Sequence, residues 1–248
     1  MISPAARHRE TVLVSGNLPT MPEGEKMIDE GSVDSVQVPC AESLEKAVHQ
    51  EDSLIKIRMN DDLRKLRSVR SRKLSRSMKA EYLEFYRDYC QMALNRAEPK
   101  HDTVLNLLCI WYFDIEDFTV GLRLAEKVLS SYLVKPCGYR HTHSPEGFKR
   151  NMAEILADIL SDHVVKSRNP AAHSEQLTRL MELTRSHDMN DHISARMHRA
   201  YAMSLEAEDA EQAIYHYRES YALRRLSGVL KRIERLTKLL SERQGEKV

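Results

Sequence analysis

The side chains with the plainest chemical use in this chain are its cations. Ten of the 24 residues from Lys56 to Lys79 are Lys or Arg, opposed only by Asp61 and Asp62, so the stretch carries +8 in a chain of net charge +1. The remainder is net −7, and residues 1–55 hold four basic residues against ten acidic. Charge separated this sharply suits a polyanion, because cations that neutralise phosphates release counterions and bind with steep salt dependence. The candidates for DNA contact are Arg64, Lys65, Arg67, Arg70, Arg72, Lys73, Arg76 and Lys79, placed all round a helix so that one face can meet a phosphate backbone. Most charge runs are solvated or ion-paired faces, but here too few acids lie within the run to pair with it locally. Such contacts position a protein on DNA without choosing bases.

Other constellations have plainer readings. Cys137, His141 and His143 form C-x3-H-x-H, which could ligate zinc, yet structural zinc sites usually show a second close pair. A polar loop is the simpler account. Asp102, Asp114, Glu116 and Asp117 could hold Mg²⁺ for phosphodiester cleavage. Asp102 is better read as a helix cap and the others as an acidic inter-helix turn. His187, Asp188, Asp191 and His192 cluster at a helix boundary, where such residues are ordinary. The chain has no G-x-x-x-x-G-K-[ST], G-x-S-x-G or H-E-x-x-H pattern. No catalytic residue, metal ligand or cofactor is assigned.

The elements that must position the cations are helices. Gly and Pro number 8 each in 248 residues, about half their usual share, and Leu, Ala, Arg, Glu and Met are abundant. No segment alternates as a strand, so the fold class is all-α. No apolar run approaches the roughly 18 residues that cross a bilayer, and the N-terminus lacks the apolar centre of a signal peptide. Cys90 and Cys109 sit in apolar helical pattern and read as reduced core thiols, which fits a cytosolic protein.

Four segments are expected. Residues 1–52 form an acidic arm too poor in large apolar groups to offset its ordering entropy, with a short helix at about 41–49. Residues 53–98 form one long helix with room for a break near Ser75 to Ser77, basic first and aromatic later. A thin apolar stripe of Ile55, Met59, Leu63, Leu66 and Leu74 runs along it. Of these, Leu63, Leu66 and Leu74 are the candidates for packing between subunits. Residues 99–243 read as antiparallel helix pairs resembling a tetratricopeptide array, too irregular for a repeat by period alone. Asp102 caps the first helix, and later helices fall at about 118–132, 152–160, 173–186, 190–206, 210–224 and 228–243. The last carries a heptad-like seam of Leu226, Val229, Ile233, Leu236 and Leu240, read first as docking inside the protein and otherwise as a partner-binding helix. Residues 244–248 are a tail.

Taken in order, these pieces resemble the small terminase subunit of P-two-like temperate tailed phages. Ser3-Pro4-Ala5-Ala6-Arg7-His8 is similar to that family's [ST]-P-A-x-R-H opening. Asp102-Thr103-Val104-Leu105, Trp111-Tyr112-Phe113-Asp114, Asp117, Gly121-Leu122 and Ala125 resemble its D-x-[VI]-L…W-x-x-D…D-x-x-x-[AG]-L-x-[IL]-A core. Asp209-Ala210, Ala213, Gly228-Val229 and Ile233-Glu234-Arg235-Leu236 resemble its closing segment. The resemblance implies a viral DNA-packaging protein that assembles into a homo-oligomeric ring in the host bacterial cytoplasm. It would bind the packaging site on concatemeric double-stranded DNA and work with a large subunit carrying the ATPase and nuclease. Relatives are often called endonuclease subunits, a label that suits the two-subunit holoenzyme. Two readings from other classes compete. A helical-repeat scaffold for proteins predicts no salt-sensitive DNA binding, and a nuclease built on Asp102 to Asp117 predicts Mg²⁺-dependent cutting by this chain alone.

Overall fold

Ser71, Asp102, Asn151, Asn190 and Asp209 each stand just before a helix, and each side chain accepts from backbone N–H groups that the helix leaves unpaired. These caps punctuate a computed structural model whose backbone is described for residues 41–98, 100–133, 150–225 and 228–245. Side chains are described within these spans from residue 53 to residue 242. The chain divides into two units, Met1–Glu45 and Lys46–Val248, and the account below concerns the second. The acidic arm up to residue 40, the loop carrying Cys137, His141 and His143, and Leu226 lie outside the described residues.

Among the described residues there are ten α-helices, one short 3-10 turn and no strand, so the fold is all-α. They are α1 (Ala41–Ser68), α2 (Arg72–Phe85), α3 (Arg87–Asn95), α4 (Thr103–Asp114), α5 (Phe118–Leu133), α6 (Met152–Lys166), α7 (Ser174–Thr184), α8 (Asp191–Leu205), α9 (Ala210–Leu223) and α10 (Val229–Gly245). No described helix is long and apolar enough to cross a membrane. The later helices fall within a few residues of their expected bounds, apart from α6, which runs on to Lys166. The long basic helix does not run unbroken. It stops at Ser68, turns through Val69–Ser71 and restarts at Arg72, and a second interruption falls at Tyr86. The turn comes about two turns of helix earlier than Ser75. There Ser71 supplies a cap and Val69 N–H closes on the Leu66 carbonyl at 3.1 Å.

The core forms around α4, which is apolar on nearly every side: Leu108, Cys109 and Phe113 are completely enclosed. Helices α2, α5 and α6 pack around it. Gly121 of α5 sits where a Cβ would fall 2.8 Å from the Phe113 ring, so the glycine lets α4 and α5 approach closely. Tyr82 of α2 and Tyr86 at the α2–α3 junction both lie against Trp111, with ring centroids 6.3 Å apart in each case. Beyond this core, helices do not simply stack on their neighbours in the chain: α5 packs on α7, and α6 packs on α8. Helices α8, α9 and α10 make a satellite cluster in which Val229, Ile233, Leu236 and Leu240 dock against Ala213, Ile214 and Tyr217. The last helix therefore docks inside the protein, as its seam suggests. Glu206 secures it, accepting from Arg232 at 2.5 Å and from Arg235 and Tyr217. Burial pushes that carboxyl up, but the Tyr217 hydroxyl and the two guanidinium groups outweigh it and hold it below the usual range.

Cys90 and Cys109 are buried free thiols. Burial, reinforced by the nearby Asp102 charge, pushes Cys90 up to about 12, and burial raises Cys109 as well.

Candidate nucleic-acid interface

The basic run changes direction at the corner between α1 and α2. The Ser68 hydroxyl turns back to the Lys65 carbonyl at 2.6 Å, ending α1, and Ser71 opens α2 by accepting from the Leu74 N–H at 3.3 Å. Arg67, Arg70, Arg72 and Lys73 consequently gather round one bend. All four are exposed, and among the described residues no hydrogen bond or ion pair engages their side chains.

The other four candidates have partners. Arg64 pairs with Asp61 at 3.3 Å, one turn away on the surface of α1. Lys65 lies 3.5 Å from Asp62 and 5.9 Å from the centre of the Tyr82 ring. Arg76 donates to Glu116 Oε1 at 2.6 Å, and Lys79 Nζ reaches Asp114 Oδ2 at 2.5 Å. These last two pairs fasten α2 onto the α4–α5 turn. They differ in burial: the Arg76 side chain is 56% exposed and that of Lys79 only 17%. The acids that oppose Arg76 and Lys79 stand 40 and 35 residues away in sequence, so no local pattern announces them.

The expected subunit seam divides in the same way. Leu66 is 9% exposed and belongs to the protomer's own core, Leu63 is partly buried against it, and Leu74 is 52% exposed. Sequence reasoning missed the exposed group of Leu54, Ile57 and Phe85. Arg58 stacks its guanidinium 4.1 Å above the Phe85 ring, bringing this part of α1 against the end of α2.

The four carboxylates once considered for a metal have separate work. Asp102 caps α4, accepting from Val104 and Leu105 N–H at 3.0 and 3.1 Å, and also takes the Tyr89 hydroxyl at 2.5 Å. Asp117 accepts from the Val120 N–H at 3.2 Å at the start of α5. Asp114 and Glu116 hold Lys79 and Arg76. The described residues contain no group of three or more His, Cys, Asp or Glu that could hold a metal ion. Around His192, Asn190 caps α8 and Asp191 is its first residue, as expected of a helix boundary.

Between the α1–α2 corner and α6 lies a cleft of about 840 Å³. Arg70, Arg72 and Arg76 line one side, and Asp162, His163 and Lys166 line the other. Deeper in, Asp158 and Asp162 both accept from Arg196 of α8.

A family model described as phage small terminase subunit matches residues 56–192, more than half of the chain and including the whole basic corner. The terminase endonuclease subunit of Escherichia phage P2 is 28% identical over 201 residues, covering 81% of this chain and 78% of that protein. No solved structure matches the chain. The matched span begins at the first cation of the basic run and carries the α4–α5 core that holds it, and on that ground the chain belongs to the phage small terminase subunit family, a component of a phage terminase acting in DNA packaging.

Proposed function

We propose that this chain is the DNA-recognition subunit of its terminase, binding the packaging site on concatemeric viral DNA in the host cytoplasm. It would hand that DNA to a large subunit carrying the ATPase and nuclease. The observation that carries the reading is the corner itself: Arg67, Arg70, Arg72 and Lys73 are exposed, unpaired among the described residues and gathered at one bend. Unpaired cations can exchange water and counterions for phosphates without first breaking a protein contact, so their charge is fully available. Arg64 and Lys65 flank them, held by weak one-turn pairs. Assembly into a homo-oligomeric ring would repeat the corner, and contacts weak in one protomer would add by multivalency. Leu74, Leu54, Ile57 and Phe85 are the exposed apolar groups on the same helices that support such subunit contacts.

The test is the mass of the purified protein by light scattering, with and without a packaging-site duplex, across a salt series. A large discrete oligomer that binds DNA with steep salt dependence is expected. Reversing Arg67, Arg70 and Lys73 to Glu should abolish binding while leaving helicity and mass unchanged. Unaltered affinity of that variant at low salt would refute the assignment.

A further inference from the structure

The basic helix meets the rest of the protein through two ion pairs of unequal character. Lys79 is mostly buried beneath its contact with Asp114, whereas Arg76 and Glu116 face each other at the mouth of the cleft with over half the Arg76 side chain in water. An exposed pair is worth only about 0.2 to 1 kcal/mol, so it exchanges readily for a stronger partner. A phosphodiester is such a partner, because a guanidinium binds it through paired N–H donors and releases a condensed counterion in doing so. Arg76 lies on the first turns of α2, close in sequence to the exposed Arg72 and Lys73, and shares the cleft with Arg70 and Arg72. Glu116 itself does not depend on Arg76 alone. Its Oε1 also lies 3.5 Å from His163 Nδ1 of α6, so the carboxylate keeps a nitrogen neighbour when the guanidinium leaves. Its backbone is held at φ 69, a left-handed conformation that non-glycine residues rarely adopt. The turn thus places Glu116 beside α2, where its carboxylate meets Arg76.

We infer that Glu116 occupies a phosphate position in the DNA-free protein: Arg76 is a DNA-contacting residue held in reserve by that carboxylate, and the phosphodiester backbone displaces Glu116 as it enters the cleft beside α2. Lys79 stays on Asp114 throughout and serves as the hinge that keeps α2 on the α4–α5 turn. The inference rests on the DNA-binding reading above and adds to it an internal competitor and a division of labour among the cations.

A double-mutant cycle separates this competition from general electrostatics. Binding of the full-length protein to a short random-sequence duplex is measured across a salt series for the parent, Glu116→Gln, Arg76→Gln and the double variant. Circular dichroism melts confirm that all four fold alike. Glu116→Gln should tighten binding by up to about fivefold in the parent, the upper worth of an exposed pair converted at tenfold per 1.4 kcal/mol. The same change should have little effect when Arg76 is already Gln. Arg76→Gln should make the log–log salt slope shallower by about 0.9, one phosphate contact. Equal tightening in both backgrounds, or none in either, would overturn the inference while leaving the DNA reading intact. Failure of the parent to bind the duplex at low salt would overturn both.

Discussion

The hydroxyl of Tyr86 donates to Asp62 Oδ2 at 2.8 Å, joining the C-terminal part of α1 to the junction of α2 and α3. Asp62 is 3% exposed and Tyr86 is equally enclosed, so this bond is made out of water. Burial first, and then the adjacent carboxylate, push the phenol well above its ordinary range, keeping it a donor at any physiological pH. Arg58 and Lys65 lie at 3.9 and 3.5 Å from the same carboxylate. A carboxylate buried inside the basic run thus joins the apolar contacts of Met59 and Leu66 in holding α1 in place.

Tyr86→Phe removes one donor and leaves Asp62 short of a partner. The expected loss is about 1 to 3 kcal/mol, the cost of an unsatisfied buried acceptor. Urea unfolding of the variant should show a lower midpoint, and an unchanged midpoint would mean that Arg58 and Lys65 alone satisfy the carboxylate.

Lys79 and the corner cations should separate cleanly in mutagenesis. Lys79→Ala strands Asp114 against a largely buried site, and should cost about 1 to 3 kcal/mol of stability. Arg70→Ala and Lys73→Ala remove exposed side chains that are unpaired among the described residues, and should shift the melting temperature little while weakening DNA binding. If Lys79→Ala proves as stable as the parent, the ion pair is not the anchor of α2.

Gly121→Ala would ordinarily favour a helix by about 1 kcal/mol. Here the added methyl would stand 2.8 Å from the ring of the fully enclosed Phe113. That ring has nowhere to retreat, so overpacking, at about 1 to 3 kcal/mol, should reverse the sign. Calorimetry decides it: a raised melting temperature would show that α4 and α5 can part without cost.

The interface of α8 and α9 should loosen in acid. His198 and His216 face each other with Nδ1 atoms 2.9 Å apart and rings 5.2 Å between centroids, beside Tyr201 and Tyr215, with the charge of Glu219 nearby. Burial, and then the neighbouring imidazole, hold His216 down at about 4, and burial also lowers His198. The unfolded chain takes up these protons near the ordinary histidine value of 6.5, and the folded one only further down. Stability should therefore be flat above pH 6.5 and fall as pH drops from 6.5 towards 4. His216→Gln should flatten that fall; a profile identical to the parent's would place the acid sensitivity elsewhere.

Local chemistry in the chain was enough to establish most helices and the charge asymmetry. Asp102 announces a helix start because a carboxylate beside free N–H groups is a short-range effect, whereas the caps at Ser71, Asn151, Asn190 and Asp209 were not singled out in the sequence. The apolar spacing of Val229, Ile233 and Leu236 marks a buried face for the same reason of proximity along one helix. The resemblance to small terminase subunits was legible too, since it rests on the order of such local signals. Which cations are left without a protein partner among the described residues was decided only by folding. Coulomb attraction depends on distance in space, and packing α2 on the α4–α5 turn brings Glu116 and Asp114 onto Arg76 and Lys79 from 40 and 35 residues away. The same packing drew Leu66 inward and left Leu74 outside, though both lie on one apparent stripe, because the turn at Val69–Ser71 rotates one helix relative to the other.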